Sequence, residues 1–215
     1  MILNSYINGL SLGSVVYIFG RCLDMTLSAE SYLKLMADDG ALLNNGLRAC
    51  RKNLLGIGPV IYTCVDVILI DHALYFSVTH MSNIILVHSI GYYMVHFIMH
   101  KKKEFIKYHT FHHKFNKVLV PSVGNAVSTE EFCGAYMLPF VVGAALVGPS
   151  SSSFINAVGL ISLFNLIIHC KELEHIKFLE LFVSPKKHIL HHQTHTKHYS
   201  APILDLEYLF AKTKD

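Results

Sequence analysis

The chain has 215 residues, 52% of them hydrophobic and only 15% charged, with a mean hydropathy of +0.41. Soluble domains carry about 25% charged residues, so this composition argues against a soluble core and for a single lipid-embedded domain. A net charge of +3, with no basic stripe interleaved with aromatics, excludes nucleic acid as a partner.

Residues 1–20 are apolar but lack a basic leader and are interrupted by Asn4, Asn8 and several Gly and Ser. They read as an interfacial or partly inserted helix and not as a cleaved signal. Residues 1–53 are therefore expected to form an N-terminal cytoplasmic or interfacial segment, and 54–215 the membrane domain. From Leu54 to His100 the sequence is nearly continuous apolar. As one helix it would be about 70 Å long at the helical rise per residue, roughly twice the hydrocarbon core of a bilayer, so two antiparallel spans are expected. Their turn falls near Asp71 and His72 or near Ser77 to Ser82. A second apolar pair, Gly134–Val147 and Phe154–His169, flanks Gly148-Pro149 and a serine run, which is a strong turn signal. Each arm is short for a crossing, which calls for tilt, extension at the ends or partial insertion.

Every Lys and Arg lies within 21–52, 101–117 or 171–214, and none lies in either far-side turn. Positive charge accumulates on the cytoplasmic side, so these three segments share that side. The expected fold is all-α: a multi-pass membrane protein of about four transmembrane helices with a cytoplasmic, histidine-rich helical cap. The five cysteines are odd in number and form no C-x-x-C pair, which reads as reduced thiols. Cys170 is read as a small buried hydrophobe and not as a ligand.

Histidine dominates the chemistry. Of 15 histidines, one block holds His96, His100, His109, His112 and His113, and another holds His188, His191, His192, His195 and His198. The boxes read HFIMH, HTFHH and HILHH, one H-x3-H and two H-x2-HH. At such spacings side chains project from one helix face and can meet one ion. Eight imidazoles exceed the four that satisfy a structural zinc, so two ions are expected. Imidazole suits iron, zinc, copper and nickel alike. A carboxylate-bridged di-iron bundle needs two Glu-x-x-His pairs, and only Glu172 with His175 offers one. His195 fits a hydrogen bond to a ligand imidazole. Glu130 or Glu131 reads as a helix-start acid. His88 and Asp66, inside the first membrane pair, are candidates for lining a substrate tunnel or pairing with each other.

HFIMHKKKEFIKYHTFHH together with HILHHQTHTKHY resembles the fatty acid hydroxylase/sterol desaturase superfamily of membrane-bound di-iron oxygenases. The resemblance covers about residues 60 to 213. It includes the apolar-x-Pro lead into the last box, in LFVSPKKHILHH, and the following His198-Tyr199. It implies that 54–215 is a di-metal domain of this kind. It implies as metal ligands His96, His100, His109, His112, His113, His188, His191 and His192, with His169 as the mid-chain ligand and His198 as a further ligand or a partner of one. The implied cofactors are two iron ions, which zinc can replace in a purified protein. The implied reaction uses O2 and external electrons to hydroxylate or desaturate a lipid: a sterol, fatty acyl chain or sphingolipid. No His-Pro-Gly-Gly haem anchor occurs, so a cytochrome b5-like or other donor is implied as an external partner. Lys101, Lys102, Lys103 and Lys107 fit a flank drawn to anionic lipid better than a docking site for that donor. In a eukaryote the membrane would be the endoplasmic reticulum, with the boxes facing the cytoplasm. A divalent-metal transporter and a haem-binding electron carrier are the alternatives.

Overall fold

The computed structural model describes residues 1–73 and 75–212, so 213–215 of the expected membrane domain lie outside the described residues. The described residues are helical and contain no strand, only two isolated bridges. In chain order the helices are α1 (Ile2–Thr26), α2 (Ala29–Leu69), α3 (Val78–Lys101), α4 (Lys103–His109), α5 (Thr129–Val147), α6 (Ser151–Ile168), α7 (Pro185–Thr194) and α8 (Leu206–Lys212). Five of these, α1, α2, α3, α5 and α6, are long and apolar enough to cross a membrane. The chain is an all-α, multi-pass membrane protein.

The expected count of about four becomes five because of α1. Its glycines and Ser5 do not interrupt a span; they line one face of it. Ser5, Gly9, Gly13, Val16, Gly20 and Asp24 are its buried residues, while Ile7, Val15, Ile18 and Phe19 point outward. Small residues let membrane helices approach closely. A Cβ at Gly13 would stand 2.0 Å from the Leu54 carbonyl oxygen of α2. Polar ties continue that packing: Arg21 pairs with Asp24, whose other oxygen accepts from the Ser122 N–H at 2.9 Å.

The α2–α3 turn occupies residues 70–77, the first of the two expected positions, and Ser77 caps α3 by accepting from the His80 N–H. Within α2 a π-helical turn spans Lys52–Ile57, and its buried Asn53 donates to the Val127 carbonyl at 3.0 Å. The second hairpin is extended at its start: α5 begins at Thr129, which gives a 19-residue arm. It turns at Gly148, whose φ of +56° suits a residue without a Cβ. Ser150 then caps α6.

Candidate metal centre

The histidines arrive from four parts of the chain. The end of α3 supplies His96 and His100; α4 and the 3-10 turn at His112–Lys114 supply His109, His112 and His113; the end of α6 supplies His169; and α7 supplies His188, His191 and His192. Their ligand-capable nitrogens converge in two groups, each with all such atoms within 4.8 Å of one another. His96, His100, His109, His113 and His191 form the first group; His112, His169, His188 and His192 form the second.

The partition crosses the sequence boxes. HTFHH sends its i, i+4 pair, His109 and His113, to the first group and His112 to the second. HILHH does the reverse, sending His188 and His192 to the second group and His191 to the first. The split does not need the 3-10 turn that follows α4, because HILHH divides in the same way, i, i+4 pair from i+3 histidine, within the unbroken helix α7. Each H-x2-HH box therefore serves both groups, and only HFIMH stays within one.

What lies behind each ring decides what its inner nitrogen can do. His96 Nδ1 is 2.7 Å from the Tyr199 carbonyl, and His191 Nδ1 is 2.8 Å from the Lys197 carbonyl. A carbonyl only accepts, so Nδ1 carries the proton in both rings and each Nε2 presents a lone pair. Those two Nε2 atoms lie 3.1 Å apart with no proton to share. His109 adds a third: its Nδ1 meets Glu131 Oε1 at 2.6 Å, and its Nε2 is 2.8 Å from that of His96. In the second group His169 Nδ1 donates to the Asn165 carbonyl at 2.6 Å, and its Nε2 lies 3.0 Å from that of His188. Lone pairs gathered this closely repel one another unless a cation sits among them. The donor set fits metal ions.

Burial keeps these imidazoles neutral, the form that binds metal. It lowers His169 to about 4 and His191 to about 3, with His100 adding to the effect at His191. His112, His188 and His192 are pushed well below their ordinary value by burial and then by neighbouring imidazoles.

His198 is not brought into either group. It has a left-handed backbone (φ +61°), and its Nδ1 faces Glu207 at 3.6 Å. Its turn, with that at His195 (φ +59°), carries the chain through the Lys197 and Tyr199 carbonyls that hold His191 and His96. His195 reaches the His192 backbone carbonyl at 2.8 Å instead of an imidazole nitrogen, and its ring lies against His113. His175 is exposed, and Glu172 is tied to Ser28 and Ser31. Cys170 is buried beside Ser28 and belongs to neither group.

The residue missed by sequence reasoning is Glu131. It does open a helix, as expected of it, and its N–H is capped by Ser128. It is also fully buried behind His109. The one signal available was an acid entering a membrane helix on the same side as the boxes.

A model of the fatty acid hydroxylase family matches residues 81–211. The chain belongs to the fatty acid hydroxylase family. No curated protein and no solved structure matches it. The matched stretch contains all nine grouped histidines and Glu131, and the hydroxylase family is one of di-iron membrane proteins. Beside the histidines, helices α1, α2, α3, α5 and α6 enclose a cavity with almost wholly apolar walls. Asn125, Asn165 and Pro202 wall it close to the elements that hold His112, His169 and His96. His88 also lines it. Asp66 is buried but is not in its wall, and His88 makes no hydrogen bond to it.

Proposed function

We propose that the protein is a membrane-bound di-iron oxygenase that uses O2 and electrons from another protein to hydroxylate or desaturate a lipid. The observation that carries this reading is the pair of all-imidazole groups with inward lone pairs, set beside an apolar cavity inside a membrane bundle. His96, His100, His109, His113 and His191 would hold one ion, and His112, His169, His188 and His192 the other; His198 serves the turn behind them. Iron held there supplies the activation of O2 needed to break an unactivated C–H bond.

The protein's own part is positioning. The Tyr199, Lys197 and Asn165 carbonyls keep the Nδ1 protons of His96, His191 and His169 outward, so three lone pairs stay aimed inward. Glu131 Oε1, 2.6 Å from His109 Nδ1, fixes that ring from behind. The apolar walls take up a lipid chain and keep water away from the reacting carbon. Residues 54–215 would form the di-metal domain, with 1–53 bracing it through α1 and the Ser28–Glu172 bond. Lysines 101–103 and 107 support a cytoplasmic orientation of the boxes, which in a eukaryote means the cytosolic face of the endoplasmic reticulum. A cytochrome b5-like or other donor would approach from that side.

Purified protein should contain about two irons per chain, show no Soret band, and consume O2 when given a chemical reductant and lipid extract. Metal transport without O2 consumption, or a Soret band, overturns the reading. Lipid profiles of cells with and without the chain would identify the product.

A further inference from the structure

One buried histidine is used by neither metal group. His88 is 1% exposed on α3 and forms part of the cavity wall. Its ring packs on Phe140 at 4.3 Å between centroids and is stacked near Tyr92 at 6.2 Å. Neither ring nitrogen has a hydrogen-bond partner; the Tyr136 carbonyl faces the ring without reaching hydrogen-bond geometry. An imidazole unpaired in an apolar wall costs free energy that a ligand able to hydrogen-bond to it recovers. With a proton on the nitrogen turned toward that carbonyl, the other nitrogen is a lone pair and takes a donor.

No charged residue lines the cavity among the described residues. A carboxylate or phosphate headgroup would enter it without a partner, at a heavy desolvation cost. A neutral hydroxyl carries the donor that His88 lacks and brings no charge. His88 stands eight residues before His96 on one continuous helix, or about 12 Å along its axis.

We infer that His88 accepts a hydrogen bond from a hydroxyl group on the lipid that fills this cavity, so that the protein selects a neutral, hydroxyl-bearing long-chain lipid. If that lipid is the substrate, which rests on the oxygenase reading, its hydroxyl lies about two helical turns from the end that meets the histidine groups. A sterol reacting beside its own hydroxyl does not fit that spacing; a long chain reacting well away from its hydroxyl does.

The test reads occupancy instead of turnover. Purified full-length protein is photolabelled with a diazirine-bearing long-chain alcohol, in competition with hexadecan-1-ol, hexadecyl methyl ether or hexadecane. For the wild type the alcohol should displace the label at about fivefold lower concentration than the ether, the size of one ordinary hydrogen bond. The label should map to the cavity walls on α1, α2, α3, α5 or α6. His88→Phe keeps an aromatic ring in the wall and should abolish the difference, while His88→Gln, which retains an acceptor, should restore part of it. Equal competition by alcohol and ether in the wild type overturns the inference, as would happen if water held the His88 nitrogen. So does a preference that survives in His88→Phe, or labelling outside the cavity. The wild-type comparison decides even where a variant does not fold. An alcohol preference in a protein that consumes no O2 leaves this inference standing and removes the oxygenase reading; O2 consumption without the preference does the reverse.

Discussion

The two histidine groups are alike in chemistry and unlike in how they are held. In the first, three of five rings have an acceptor behind Nδ1: Tyr199 for His96, Glu131 for His109 and Lys197 for His191. In the second, only His169 of four has one, and the Nδ1 atoms of His112, His188 and His192 are buried without a partner, as is that of His113 alone in the first. A ligand ring fixed from behind is oriented before the ion arrives, and a backing carboxylate raises its basicity. Among the described residues, the first group also has the only carboxyl group in contact with a grouped ring. The two sites should therefore differ in affinity and exchange, with the first the tighter.

The largest effect should come from taking away a ligand outright. His112→Ala should abolish product formation while the protein still inserts in membranes, and iron content should fall from about two per chain to about one. Retention of two irons with full turnover would show that His112 is not a ligand. Next in size is Glu131→Gln, which keeps a hydrogen-bonding side chain behind His109 but removes the carboxyl group. Loss of such a supporting contact typically costs 10–100-fold in metal affinity or activity, and metal titration should assign that loss to the tighter site. A loss confined to the weaker site would reverse the comparison.

Chelation sharpens it further. A chelator titrated into the iron-loaded protein should remove one equivalent readily and the second far more slowly, and Glu131→Gln should draw the two phases together. Simultaneous release from the wild type would mean that the backing contacts do not matter. The smallest effect is expected from Lys197→Ala. His191 is held by the main-chain carbonyl of this exposed residue, so removing the side chain should change stability by no more than about 0.5 kcal/mol and leave both chelation phases in place. A substantial change would mean that the lysine side chain itself has a role.

The N-terminal helix teaches a different lesson from the boxes. Gly9, Gly13 and Gly20 look like interruptions when the chain is scanned for hydrophobicity. Their meaning appears only once Tyr62 is seen against Gly9, Leu54 against Gly13, and Leu166 with Ser122 against Gly20. Small residues are ambiguous in one dimension, because a gap in hydrophobicity and a groove for a neighbouring helix have the same composition. The second hairpin was more legible. Gly148, Pro149 and the serine run announced the turn, and only the extension of α5 back to Thr129 was hidden.

Composition determined that this chain is membrane-bound, since so few charges leave lipid as the solvent for its surface, and the length of its apolar runs determined that it is helical. Box spacing singled out eight of the nine imidazoles that meet, because helical periodicity dictates which neighbours along a chain can point together; His169 was reached only through the family resemblance. Tertiary structure alone decided how they divide into five and four, that Glu131 backs His109, and that His198 stays outside. Those outcomes depend on contacts such as His96 with Tyr199, which join residues 103 positions apart. Local spacing sets the directions of side chains within one element, whereas the meeting of separate elements is set by packing across the bundle, which no short stretch of sequence encodes.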